Sequence, residues 1–254
     1  MIRADLLLVE LGLAASRTTA QHLIAAGRVS VDQGGRRVTV TKPSQKFPDG
    51  YAAFHVVPDP SDRYVSRGGL KMAGALAAAG LDVNGLCVLD VGQSTGGFTD
   101  CVLQAGARRV VGVDVGHDQL AVSLRADPRV RFFEGVNARA LDRSALLAAN
   151  DEAGFDLIIC DVSFISLTLV LPSALALLAP GGYLLSLVKP QFEVGREGLG
   201  KGGIVRDAGL YAGVHERISA LLAGEGMREL AWFDSPIAGG DGNREFFVFA
   251  RRDR

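Results

Sequence analysis

Residues 88–100 read Val88-Leu89-Asp90-Val91-Gly92-Gln93-Ser94-Thr95-Gly96-Gly97-Phe98-Thr99-Asp100. An apolar run of strand length passes into a glycine-rich loop, and the loop passes into a helix over 97–104. In an open α/β sheet, ligands collect outside the carboxyl ends of the strands, where such a loop lies. Glycine permits the turn and lets a ligand come close to the backbone. The spacing is neither Gly-x-Gly-x-x-Gly nor a P-loop, because no Gly-Lys-Ser/Thr follows. The loop therefore suits a cofactor without phosphates better than a dinucleotide or a nucleoside triphosphate.

Outward from this loop, strands expected at 86–91, 109–113, 130–133, 155–160 and 183–188 alternate with helices. The helices are expected at 69–79, 97–104, 119–126, 142–149, 167–178 and 207–225, with closing strands at 230–234 and 245–250. That rhythm, with nearly continuous apolar strands, predicts an α/β fold built on a doubly wound parallel sheet. Asp114 lies 24 residues after Asp90 and ends the second strand. A carboxylate at that place can accept both hydroxyls of a ribose. Loop and carboxylate together resemble the S-adenosylmethionine site of class I (Rossmann-like) methyltransferases. The cofactor-binding candidates are Asp90, Gly92, Ser94, Thr95, Gly96, Gly97, Phe98 and Asp114. Glu134 and Asn137 follow the third strand and can meet an adenine edge or simply cap a loop. The plainer alternative for the whole stretch is a glycine turn beside a helix-capping Asp.

The front of the chain has a different plan. A helix is expected over 5–14 with Leu6, Val9 and Leu13 on one face. A second runs from the N-cap Ser16 to a stop at Gly27 and buries Ala20, Leu23 and Ile24. Strands follow at 29–31, 37–40 and 52–57, the first two joined at Gly34-Gly35. Pro58-Asp59-Pro60-Ser61-Asp62 opens a linker. The expected division is a small α/β module over 1–57, a linker over 58–66 and a larger domain over 67–254. Residues 1–71 carry a net charge of +4 and the remainder −5. A basic front on an acidic body suits a polyanion-binding module. Arg3, Arg17, Arg28, Arg36, Arg37 and Arg67 are candidate phosphate contacts; the alternative is solvated surface arginine.

Composition narrows the class. The chain has 254 residues, 48% hydrophobic and 22% charged, as globular proteins do. Cys87, Cys101 and Cys160 are an odd count without a close pair, which excludes a disulfide framework and fits a reducing compartment. Asp5 and Glu10 interrupt the first apolar run, so no signal peptide is expected. No stretch of 18 apolar residues is present to span a membrane. His22, His55, His117 and His215 are scattered, so no metal site is expected. A cytoplasmic protein, monomeric and free of membranes, is the expectation.

Four polar residues fall at element ends on the acceptor side of the expected sheet: Lys71, Asp161, Lys189 and Glu245. Methylating a ribose 2′-hydroxyl needs a base, because the hydroxyl is a weak nucleophile. A lysine serves if its pKa falls from about 10.4 towards ~7–8, and carboxylates orient the amines. A surface salt bridge is the alternative for each residue singly. Asp161-Val162-Ser163-Phe164 lacks the paired prolines of amine methyltransferases, and no Pro-Cys pair supports thiolate chemistry.

These residues carry a family pattern over nearly the whole chain. The sequence resembles the TlyA (hemolysin A) family of ribosomal RNA 2′-O-methyltransferases. Arg3-Ala4-Asp5, Ser16-Arg17, Gln21, Gly27 and Val29-Ser30-Val31 are similar to an S4 RNA-binding domain. Tyr64-Val65-Ser66-Arg67-Gly68-Gly69-Leu70-Lys71 resembles the family's junction, and Ser94 to Thr99 its cofactor loop. The resemblance implies an FtsJ/RrmJ-like catalytic domain with Lys71, Asp161, Lys189 and Glu245 as a Lys-Asp-Lys-Glu tetrad. It implies S-adenosylmethionine as cofactor and ribosomal RNA or ribosomal subunits as partner, with cytidine riboses as targets. Departures are Gln93 and Ala4, and His117-Asp118 in place of an aromatic-Gly pair. Two rival readings are a non-catalytic RNA-binding assembly factor and a membrane-lysing protein. The intact tetrad opposes the first, and the lack of an apolar span or amphipathic cationic helix opposes the second.

Overall fold

The computed structural model describes residues 1–14, 16–239 and 242–253. The chain divides into two compact units, Met1–Asp62 and Arg63–Arg254.

In the first unit, β1 (Ile2–Arg3) leads into α1 (Ala4–Glu10) and α2 (Arg17–Ala25), followed by β2 (Val29–Gln33), β3 (Arg36–Thr39), β4 (Lys46–Phe47) and β5 (Phe54–Val56). Ser16 caps α2 by accepting a hydrogen bond from the Thr19 N–H at 3.1 Å. β2 pairs antiparallel with both β3 and β5, while β1 pairs with β4. Leu7, Leu8, Ala20, Ile24, Val31 and Phe54 fill the core. The face expected for α1 is corrected: Leu6 and Leu13 are exposed, and Ala4, Leu7 and Leu8 face inward. The reason is Asp5, which is fully buried. A buried carboxylate must be paired, and Arg3 (2.8 and 2.9 Å), Arg17 (2.9 Å) and Gln21 (2.9 Å) all donate to it. Foremost the Arg3 hydrogen bonds hold the Asp5 carboxyl well below the usual carboxylate range.

A 3-10 turn over Pro60–Arg63 crosses the boundary between the units, and the first helix of the second unit is α3 (Gly68–Ala79). The second unit continues through β6 (Cys87–Val91), α4 (Gly97–Gln104), β7 (Arg109–Val113), α5 (Val122–Arg125), β8 (Val130–Phe133), α6 (Arg143–Ala148) and β9 (Phe155–Cys160). It closes through α7 (Leu167–Leu175), β10 (Leu178–Val188), α8 (Leu210–Gly224), β11 (Met227–Asp234) and β12 (Phe246–Arg252). One seven-stranded sheet has the order β11-β12-β10-β9-β6-β7-β8. All neighbours pair in parallel except β12, which runs antiparallel to both β10 and β11. The purely parallel sheet of the sequence reading thus acquires one reversed strand, because among the described residues no crossover helix stands between β11 and β12. Alternate residues of each strand enter different cores. Leu89, Ile158 and Leu184 pack with α7 and α8, whereas Val88, Leu157 and Leu185 pack with α3 and α4. Burial on both faces explains the continuous apolar strands.

The strand order reverses at β6, which has β7 on one side and β9 on the other. The carboxyl ends of β6 and β9 flank the resulting crevice.

Candidate active site

Gly92 follows the last residue of β6 with φ +85°. A Cβ there would lie 2.5 Å from the Asp161 carbonyl oxygen, so only glycine lets the ends of β6 and β9 approach this closely. At Gly97 a Cβ would lie 2.2 Å from Ser66 Oγ, which seats α4 against the segment before α3. These two approaches form a cavity of about 340 Å³. Its walls include Gly92, Ser94, Thr95, Gly97 and Phe98 from the glycine loop, with Arg67, Lys71, Asp161 and Lys189 opposite.

The two lysines are each held by a carboxylate. Lys189 Nζ lies 2.5 Å from Asp161 Oδ1 and donates to Ser163 Oγ at 2.9 Å. Lys71 Nζ donates to Glu245 Oε2 at 2.5 Å. Glu245 stands behind Lys71, with its side chain only 3% exposed, and does not itself line the cavity. Lys189 has an extended backbone at the end of β10, and Pro190 fixes the turn after it.

The loop is braced from below and from the side. Asp90 is fully buried beneath it and accepts from Thr99 Oγ1 at 2.6 Å, and Gln93 Nε2 donates to the same hydroxyl at 2.8 Å. Gln93, an odd residue for this position in sequence terms, occupies space left by Gly112. Asp90 is thus a support under the cavity, not part of its wall. Asp114 accepts from the Ser94 N–H at 2.8 Å through one oxygen and from the Gly116 N–H at 2.7 Å through the other. Gly96 is the N-cap of α4 and has no side chain to cap that helix. The Thr99 N–H turns to the Asp90 carboxylate, and no side chain takes the N–H groups of Gly97 and Phe98 at the start of α4. These groups fit S-adenosylmethionine: N–H donors at a helix N-terminus suit its carboxylate, and the Asp114 carboxylate suits its ribose.

Burial pushes the Asp90 carboxyl up to about 7, against a partly offsetting Thr99 hydrogen bond. The sign follows from linkage. Between the unfolded carboxylate value near ~3.9 and about 7, the folded chain keeps a proton that the unfolded chain releases. Stability is therefore greatest at the acid side of this window and falls as pH rises, by up to about 1.4 kcal/mol per pH unit. Asp90→Asn abolishes this component. Urea unfolding of wild type and variant, followed by the single tryptophan, Trp232 in β11, reads it out. Parallel pH profiles for the two would refute the assignment.

The remaining candidates are dispersed. Glu134 is engaged by Arg125 and by the Asp118 N–H at 3.0 Å, and Asn137 is exposed and accepts from the Arg139 N–H at 3.0 Å. Neither lines the cavity. In the first unit, Arg3 and Arg17 are tied to Asp5, and Arg28 to Asp62 at 2.5 Å. Arg36 and Arg37 lie exposed on β3, Arg37 3.7 Å from Asp32. Sequence reasoning gave no role to Ser163 or Phe164. Phe164 is 90% exposed, has φ +64° and meets Phe192 at a centroid distance of 5.1 Å. An aromatic held outward at such a backbone angle carries strain that packing does not repay.

Comparison with known proteins agrees with this geometry. The FtsJ-like methyltransferase profile matches residues 64–252, and the S4 domain profile matches residues 2–48. The 16S/23S rRNA (cytidine-2′-O)-methyltransferase TlyA of Mycobacterium tuberculosis is 42% identical over 98% of this chain and 89% of its own length. Hemolysin A of Brachyspira hyodysenteriae is 38% identical over 93% of this chain and 94% of its own. A solved Streptococcus thermophilus protein described as a hemolysin superposes with a TM-score of 0.75 at 40% identity, covering 99% of this chain and 88% of its own. Among the described residues no helix is long and apolar enough to cross a membrane. The methyltransferase family match over residues 64–252 carries the cofactor with it, S-adenosylmethionine. The chain belongs to the FtsJ-like methyltransferase family and to the group of its TlyA relatives, with an S4 domain ahead of the methyltransferase domain.

Proposed function

We propose that this protein methylates the ribose 2′-hydroxyl of cytidines in ribosomal RNA, acting on ribosomal subunits in the cytoplasm. The observation that carries this reading is the pair of lysine–carboxylate couples, Lys189–Asp161 and Lys71–Glu245, set around a cavity that also holds the cofactor loop. S-adenosylmethionine, when bound, supplies a methyl group activated on a sulfonium. Lys189 takes the proton of the 2′-hydroxyl as the oxygen attacks, and Asp161 balances the ammonium that forms. Ser163 steadies the amine. Lys71, braced by Glu245, orients the ribose, and Arg67 meets the adjoining phosphate. Phe164 offers a face on which a base stacks. The test is ribose-methylation mapping of ribosomal RNA from cells with and without the protein. New 2′-O-methyl cytidines that depend on it are expected; methylation confined to bases would overturn the reading.

The S4 domain over 1–57 supplies contacts to the RNA backbone that carry no sequence information. Arg36 and Arg37 are the arginines of the first unit least committed to internal partners. Arg36→Ala with Arg37→Ala should lower the slope of log affinity against log salt by about 1–2, with cofactor affinity unchanged. An unaltered salt slope would exclude β3 from the RNA contact.

A further inference from the structure

The arginines and lysines of the second unit are mostly committed. Arg109 pairs with Asp151, Arg129 with Asp127 and Arg244 with Asp234. Among the described residues of this unit, five cations have neither a hydrogen-bond nor an ion-pair partner, and three of them share one loop: Arg196, Lys201 and Arg206. The other two are Arg67, on the cavity wall, and Arg139. All three loop cations are exposed.

This loop is built, not slack. Leu199 and Val205 form an antiparallel bridge, the Gly200 N–H donates to the Ile204 carbonyl at 2.7 Å, and the Arg206 N–H donates to the Gly198 carbonyl at 3.0 Å. Lys201 therefore stands at the tip of a small hairpin, with the Arg206 side chain folded back beside Gly200. Asn243, 2% exposed, pins the hairpin from behind: it accepts from the Val205 N–H at 3.1 Å and donates to the Gly203 carbonyl at 3.1 Å. Asn243 lies two residues before Glu245, and its carbonyl accepts from the Gly239 N–H, next to the cavity residue Ala238. The loop begins a few residues after Lys189. Asn243 thus ties the hairpin frame to the turn that carries the wall residue Ala238, which sets the hairpin beside the cavity, and none of its three cations lines that cavity. Asp207, whose carboxylate accepts from the Gly209 N–H at 2.8 Å, and Glu197 are the anions of this stretch, which leaves a net charge of +1 over 195–207.

We infer that the hairpin over 195–206 is a clamp for RNA phosphates, gripping the strand that carries the target ribose independently of the S4 domain. The inference rests on the proposed RNA substrate. A pre-ordered frame bearing cations with no internal partner loses little entropy when phosphates bind, and it acts on an otherwise acidic domain that would repel RNA. Because the three side chains do not touch the reacting atoms, they affect capture and not the chemical step.

The test uses the full chain, purified ribosomal subunits and the same ribosomal RNA stripped of protein. Arg196→Ala, Lys201→Ala and Arg206→Ala are combined, and Lys201→Glu is made alone, since the exposed tip tolerates any side chain. The triple variant should lower the salt slope of RNA binding by about 2 and raise KM for subunits roughly tenfold or more. The turnover at saturating subunits and the cofactor affinity should stay at wild-type values. Lys201→Glu should raise KM in the same direction. Unchanged KM and salt slope in both variants, beside an active wild type, would overturn the clamp. Weakened binding to subunits with unchanged binding to protein-free RNA would overturn it too, by pointing to a ribosomal protein as the contact. A wild type that transfers no methyl to subunits would instead overturn the function on which the clamp rests.

Discussion

Lys189→Ala is expected to lower turnover by ~10²–10⁴-fold, the range of a lost general base, while cofactor and RNA affinities hardly change. The geometry argues for Lys189 over Lys71. Lys189 ends a central strand, with β9 on one side and β12 on the other, and its amine is fixed by both Asp161 and Ser163. A base so held spends no time searching for its proton. Lys71 comes from α3 and has only the almost fully buried Glu245 as partner, which suits a fixed positive charge. Lys189→Arg decides between the roles. A guanidinium keeps the charge but stays protonated at any working pH, so the variant should be as inactive as Lys189→Ala. Single-turnover methyl transfer with saturating cofactor and RNA measures it. An active Lys189→Arg enzyme would leave Lys189 as an electrostatic stabiliser only.

The parts of this molecule that were legible in its sequence are those specified by local pattern. The strand, loop and helix over 88–104 carry their own periodicity and glycines, and the ends of β6 and α4 fall where those signals put them. Residues paired across distance were not legible. Arg3 and Arg17 read as phosphate contacts or solvated surface arginine, because nothing in the local pattern of Asp5 announces a buried carboxylate that recruits both. β1 and β4 have two residues each, too few for any period to register. The helix expected over 167–178 ends at Leu175, and β10 already begins at Leu178. Apolar residues run through that junction without a break, and a buried helix and a buried strand look alike in such a run. The four tetrad positions were visible as polar residues at element ends, but which lysine meets which carboxylate depends on strand order. Parallel pairing of β10 with β9 brings Lys189 to Asp161, and the reversed β12 brings Glu245 to the same end of the sheet.

Asp114→Ala should weaken S-adenosylmethionine binding by about a hundredfold, on the order of 3 kcal/mol. Two effects combine. The carboxylate is the only acidic side chain at the end of β7, so its loss removes the acceptor for the cofactor ribose hydroxyls. It also removes the acceptors of the Ser94 and Gly116 N–H groups, and Ser94 holds φ +45° in the glycine loop partly through that bond. Asp114→Asn separates the two. Its remaining oxygen can accept one of the N–H bonds, while its amide nitrogen can accept nothing, so cofactor affinity should fall to an intermediate value. Titration calorimetry gives the affinities, and urea unfolding followed by Trp232 gives the stability of the unit without cofactor. A contact role requires affinity to fall further than stability does. If the Ala variant bound cofactor as tightly as wild type, Asp114 would be a brace for the loop alone, and the ribose would have to be held by another group at the crevice.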